Sequence, residues 1–183
     1  MRVLLFMLLL LGACWACAGV AVEVGSDGYL QVQADYASHA HPDLARLVLT
    51  DYEHLADFIP DMHSSRIVST QPLQVEQLGT ASFLIFSFPL RVVLEIDQRE
   101  DGSLNFHSVA GNLHDMHGSY QLEATAEGTR LHYAARFKPD FQVPPFIGAA
   151  IMRREIERQF DSLLREMEHR QAQMYPDSRD MAE

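Results

Sequence analysis

Three of the nine histidines in this 183-residue chain fall close together, His107, His114 and His117, with Asp115 between the last two. An H-x-x-H pair beside a carboxylate is one way to bring two imidazoles and an oxygen to a metal ion. The stretch reads as a tight turn between strands, however, and no cysteine assists it. A metal site also needs a full ligand count and geometry. Solvated turn residues account for the pattern with fewer assumptions, and no metal is assigned. His39 and His41, just ahead of the first expected helix, have the same status.

A second chemistry is proton transfer beside a carbonyl, which needs a donor or acceptor held at a shifted pKa. The catalytic candidates are Tyr120, Tyr133 and His63, with His54, Asp57 and Arg66 as further suppliers. Tyr120 and Tyr133 fall on strand faces expected to point inward, where a hydroxyl needs a partner. The same two residues also serve as ordinary core aromatics. His54 and Asp57 read better as cap or solvated positions of a short helix. No Ser-His-Asp order, glycine-rich phosphate loop or P-loop lysine is present, so no nucleophile and no cofactor is expected.

The elements that would position these groups follow from periodicity. Residues 28–36 alternate apolar and polar, the mark of a half-buried strand. Pro42 suits a first helical turn, with Leu44, Leu47 and Val48 at helical spacing behind it. A second short helix is expected over 51–58, ending before Pro60. Strands follow over 64–70 and, in two or three pieces, over 73–99, with bends at Gly79 and Pro89. Asp101-Gly102 and Glu127-Gly128 mark hairpin turns. In the last strand Leu131, Tyr133, Ala135 and Phe137 oppose Arg130, His132, Arg136 and Lys138.

A long helix is predicted over 145–170. Ala149, Met152, Ile156, Phe160, Leu163 and Met167 share one face, and Asp161–Arg165 and Glu166–Arg170 stand in acid-first i,i+4 order on the other. Its first turns are apolar all round and small in the middle. Gly148, Ala149 and Ala150 cannot fill the space beneath a concave sheet, so either a cavity or very close helix docking must result. The residues expected to line such a cavity are Phe58, Phe83, Ile85, Phe86, Val92, Leu94, Phe106, Tyr120, Tyr133, Phe146, Ile147, Ala149, Ala150 and Met152. Residues 146–152 would form the roof and 57–64 the mouth.

Arg2, an apolar run over 3–11 and Ala16-Cys17-Ala18 make up the pattern of a cleaved secretory signal peptide over 1–18. The run is too short to span a bilayer. Leu11-Gly12-Ala13-Cys14 offers the alternative of a lipobox, with anchoring through Cys14. The expected location is periplasmic or secreted, with membrane contact only transient or through that lipid. Both cysteines lie in this leader, so the remaining domain has no disulfide and must rely on packing. The net charge of −11 becomes −12 without Arg2, and an acidic domain repels phosphate backbones; nucleic acid is not an expected partner. Residues 172–183 are polar and read as a flexible tail.

Leu49-Thr50-Asp51-Tyr52-Glu53-His54-Leu55-Ala56-Asp57-Phe58-Ile59-Pro60, followed by Ser65-Arg66-Ile67-Val68, resembles a segment of the START-like (SRPBCC) superfamily. The likeness is greatest to its polyketide cyclase/dehydrase and coenzyme Q-binding branch. Gly111-Asn112-Leu113 through Met116-His117-Gly118-Ser119-Tyr120-Gln121-Leu122 resembles its late hairpin, and Gly128-Thr129-Arg130-Leu131-His132-Tyr133 its last strand. The resemblance spans 28–170. It implies an α+β helix-grip domain over 26–171: a curved antiparallel sheet of six to seven strands wrapped on the C-terminal helix, with two short helices after the first strand. It also implies an apolar cavity between sheet and helix that takes lipids, quinones or polyketide-like molecules, with catalysis in only some members. The expected function is therefore non-catalytic binding of a hydrophobic small molecule by an exported domain. A cyclase or dehydratase acting in the same cavity is the alternative.

Overall fold

The computed structural model describes residues 19–83, 86–140 and 148–175. Eight strands and three helices run in the order β1 (Gly19–Val24), β2 (Leu30–Ser38), α1 (Pro42–Leu49), α2 (Leu55–Phe58), β3 (Met62–Thr70), β4 (Leu73–Phe83), β5 (Phe86–Gln98), β6 (Leu104–Gly111), β7 (Leu113–Thr125), β8 (Gly128–Pro139) and α3 (Gly148–Met174). The strands form one antiparallel sheet, ordered β1-β2-β8-β7-β6-β5-β4-β3. Every neighbouring pair except β2–β8 is consecutive in sequence, so short hairpins build nearly the whole sheet.

The sheet has eight strands rather than six to seven, and the short helices follow the second strand, not the first. The added strand is β1, paired with β2 from Gly19↔Asp35 to Val24↔Leu30. Its alternating Val20, Val22 and Val24 adjoin the apolar leader, which hides the period-two signal. The sheet therefore takes in residues ahead of the expected 26–171 domain. Register shifts in the β3–β4, β5–β6 and β7–β8 ladders mark bulges, which bend strands and increase their twist. They curve the sheet around α3.

Helix α1 begins as expected. Pro42 occupies its first turn, and the His41 ring accepts a hydrogen bond from the Asp43 N–H at 3.4 Å. Leu44, Ala45, Val48 and Leu49 are its buried face. Helix α2 is a single turn, shorter than expected. Helix α3 continues to Met174, and the Gln171 side-chain oxygen accepts from the His41 N–H at 3.2 Å, tying its last turns to the start of α1. Of the two expected intrahelical pairs, Glu166–Arg170 forms at 2.7 Å. Arg165 instead donates to the Ser162 hydroxyl.

The main core lies under the C-terminal half of α3. Phe160, Leu163 and Met167 pack with Leu30, Val32, Leu131 and Phe137 from the sheet and Leu44 and Val48 from α1. Met167 is 1% exposed and Leu30 is fully covered. Burial of each such side chain contributes about 1.5–3 kcal/mol. On another part of the sheet, Glu76 is almost covered and is gripped by Arg66 and Arg91. Those guanidinium groups, Arg66 first, hold its carboxyl below the usual carboxylate range.

Candidate functional site

Helix α3 changes character along its length. Phe160, Leu163 and Met167 are buried, whereas Met152 and Ile156 are only half-buried. Both line a cavity of about 300 Å³, together with Glu155, Gln159, Phe160 and Leu163 of the same helix. The concave sheet supplies Val92, Leu94 and Ile96 from β5, Leu104 and Phe106 from β6, Leu113, Met116 and Tyr120 from β7, and Tyr133 and Phe137 from β8. Leu49, Tyr52 and Leu55 close it on the side of α1 and α2. The size is at the lower end of known small-molecule sites, and the lining is mostly apolar with a few polar groups, as such sites are.

Strand register explains the polar end. Tyr120 lies directly opposite Tyr133 on β8 and opposite Leu104 on β6, so all three point to one face. The two tyrosine rings are 4.7 Å apart, and Phe160 lies 5.4 Å from Tyr133 and 6.4 Å from Tyr120. Phe106 completes the cluster, 5.9 Å from Tyr120 and 6.1 Å from Tyr133. Gly118 makes room for it: a Cβ there would meet the Phe106 ring at 2.6 Å and the Ala134 carbonyl at 2.3 Å. Both tyrosines are half-buried and line the cavity. Burial pushes both hydroxyls well above their ordinary pKa, and each is reinforced by a neighbouring tyrosine, Tyr52 for Tyr120 and Tyr120 for Tyr133. Both therefore stay protonated across the physiological range. They can donate hydrogen bonds but are poor bases. Among the described residues neither hydroxyl has a hydrogen-bond partner, whereas Tyr52 accepts from the Gln98 amide at 3.2 Å.

The mouth is built from the α2–β3 loop, the outer part of β4 and α3. Ile59, Pro60, Asp61 and Met62 line it, within the expected 57–64 stretch. Asp61 adopts a left-handed backbone, φ 59°, which aspartate tolerates better than most residues. Its carbonyl accepts from the Thr80 N–H at 2.9 Å, and a Cβ on Gly79 would strike that same carbonyl at 2.8 Å. Gly79 is thus no bend but a point of close approach within β4. From the helix, Arg158 donates to the Asp61 carboxylate and, at 2.8 Å, to Glu155. His63 is exposed and its Nε2 meets the Thr80 hydroxyl at 2.7 Å, away from the tyrosine cluster.

Of the residues expected to line the cavity, Val92, Leu94, Phe106, Tyr120, Tyr133 and Met152 come together on its wall. Phe58, Ala149 and Ala150 are not among the lining residues. Phe58 packs between α2 and the core, with the Arg170 guanidinium 5.8 Å from its ring, and Ala150 is exposed. Phe83 and Phe86 are backbone partners in the β4–β5 register. Ile85, Phe146 and Ile147 lie outside the described residues, and with them the first part of the expected roof.

The histidine-rich stretch is not a tight turn. It is the start of β7, interrupted by a bulge between His114 and His117. His117 sits opposite His107, while His114 pairs with Asp140. No group of three or more metal-ligating side chains converges among the described residues. The bulge places Met116 on the cavity wall, where Ser108 accepts from its N–H at 3.0 Å. Met116, Gly118 and Tyr120 share a period of two, which was the available signal. Asp61, Glu155 and Arg158 carried no such signal.

The family model for polyketide cyclase/dehydrase and lipid transport matches residues 42–166, from α1 into α3. The chain belongs to this family. Its fold is the START-like helix-grip fold, and solved structures share it at low sequence identity. The START superfamily protein from Mycobacterium smegmatis superposes with a TM-score of 0.64 at 12% identity, over 76% of this chain and 97% of that one. The Zhui aromatase/cyclase from Streptomyces sp. R1128 gives 0.61 at 17%, over 78% and 95%. A STAR-related lipid transfer protein fragment from Xanthomonas axonopodis gives 0.61 at 13%, over 82% and 99%. A search of curated proteins finds no match. In this family β1 lies outside the matched segment, as does β2.

Proposed function

We propose that the chain is an exported START-like protein that binds a hydrophobic small molecule, lipid-, quinone- or polyketide-like, in the cavity between sheet and α3, without transforming it. The observation that carries this reading is the mostly apolar cavity of about 300 Å³ lined by the sheet and α3. Family membership supports a hydrophobic ligand. Export is supported by the leader pattern over 1–18. An acidic domain has little to offer a nucleic acid. Among the described residues no helix is long and apolar enough to cross a membrane.

Protein purified from its own compartment and extracted with organic solvent is expected to yield a stoichiometric apolar species by mass spectrometry. Protein that comes out empty and then fails to bind quinone, fatty-alcohol and polyaromatic probes overturns the reading.

A cyclase or dehydratase in the same cavity is the second reading, favoured by the family and by two hydroxyls able to steady a developing oxyanion. Among the described residues His63 is exposed, bonded to the Thr80 hydroxyl, and does not line the cavity beside the tyrosines. Turnover of an enolisable polyketone with a bell-shaped pH profile, lost in Tyr120→Phe or Tyr133→Phe, would establish it.

A further inference from the structure

An apolar wall explains affinity for grease but not two unpartnered hydroxyls within it. Both side chains line the cavity with their rings 4.7 Å apart, and among the described residues neither hydroxyl has a partner, so both are free to bond to what fills the space. We infer that Tyr120 and Tyr133 form the polar end of the cavity and together hold one neutral acceptor oxygen, a ketone, quinone or ester carbonyl, on an otherwise apolar ligand. The inference rests on the reading of the cavity as a ligand site.

The rest of the lining argues for a neutral head over a charged one. Apart from the tyrosines, its ionisable groups among the described residues are Asp61 and Glu155, both acidic and both at the mouth. Arg158 is taken up by those two carboxylates. The sequence segments 84–85 and 141–147 contain no lysine, arginine or histidine. A carboxylate-headed ligand would pass two like charges and then lie buried without a counter-ion, at a cost that two hydroxyl donors do not offset. An ammonium head would lie on an apolar wall with no carboxylate beside the tyrosines among the described residues. A carbonyl oxygen has two lone pairs and no proton. It suits two neighbouring donors.

The test uses three probes of one shape: benzophenone, diphenylmethane, which lacks the oxygen, and diphenylacetate, which carries a charge. Titration calorimetry on the purified protein is expected to show benzophenone binding about fivefold to tenfold more tightly than diphenylmethane, the range for one or two net hydrogen bonds. Diphenylacetate is expected to bind at least about tenfold more weakly than benzophenone. In the Tyr120→Phe/Tyr133→Phe double variant the ketone preference should vanish while diphenylmethane binding stays within about twofold. The infrared carbonyl stretch of bound benzophenone should lie lower in the wild type than in the variant, a readout that a packing role would not move. The hydroxyls have no partner to lose, so the variant should melt no lower than the wild type. Equal affinity for ketone and hydrocarbon, an unshifted carbonyl stretch, or a preference for diphenylacetate overturns the tyrosine assignment alone. Silence from all three probes overturns the cavity reading and this inference with it.

Discussion

Arg158 on α3 and Asp61 in the α2–β3 loop are ion-paired across the mouth of the cavity, although 97 residues separate them in sequence. Glu155, which lines the mouth beside them, shares the same guanidinium. The pair joins the two elements that would have to part for a ligand to enter. Side chains this exposed gain only about 0.2–1 kcal/mol from such a contact. Arg158→Gln should therefore change the denaturation midpoint little but raise the entry and exit rates of a neutral dye such as Nile red several-fold. Stopped-flow fluorescence checks it, and unchanged rates would show that entry uses another route.

Met152 lines the cavity, whereas Ala150, two residues earlier, is exposed on the same helix. Met152→Trp should fill the space and cut dye binding by about tenfold or more, with a cooperative melt retained, because enlarging a residue beside a void strains less than overpacking a full core. Ala150→Trp should bind as the wild type does. Equal effects from the two would place the binding space elsewhere.

Asp51 receives hydrogen bonds from His54 and Arg170, which outweigh the effect of burial and hold its carboxyl below its ordinary 3.8. The same contact raises His54 above its ordinary 6.5, chiefly through the hydrogen bond to Asp51. The signs follow by linkage. The Asp51 contribution is present above pH 3.8 and is lost as pH falls through its lower folded value. The His54 contribution is full below pH 6.5 and is lost as pH rises through its higher folded value. Together they favour the interval between. In urea titrations across pH, His54→Gln should flatten the decline above pH 6.5, and Asp51→Asn should flatten both limbs.

Met167 is 1% exposed in the main core. Met167→Ala should cost about 2–5 kcal/mol in equilibrium unfolding, the range for large-to-small changes in a packed interior. Ile156→Ala, which widens a space that already exists, should cost about 1–2 kcal/mol and leave the m-value unchanged. Similar costs at both positions would contradict the division of α3 into a packed half and a cavity half.

Local chemistry made much of this fold legible. Pro42 set the start of α1, and Asp101-Gly102 set a hairpin in which Gly102 has φ 85° and the Asp101 carboxylate accepts from the Ser103 N–H. Alternation placed Tyr120 and Tyr133 inward, and the register then brought them face to face. What escaped had physical reasons. β1 is a strand whose apolar residues continue those of the leader. The bulge in β7 leaves His114 exposed although it shares the even-numbered spacing of Met116, Gly118 and Tyr120, so that stretch looks like a turn. The mouth contacts join residues distant in the chain, and no periodicity carries a tertiary contact. Ala149 shares the periodic face of Met152 and Ala150 has only its small size to suggest lining, and neither borders the cavity.

Helix α3 is one continuous rod, yet its tasks are separated along the axis. Phe160, Leu163 and Met167 are buried against the sheet, with Phe160 and Leu163 also reaching the cavity, whereas Met152, Glu155, Ile156 and Gln159 border the cavity and stay half-buried. Tailoring and folding are thus addressed to different stretches of sequence. A library randomised at positions 152, 155, 156 and 159 would explore new occupants while leaving the foundations of the domain untouched. The helix offers an engineer a ready-made boundary between what can be rewritten and what has to be kept.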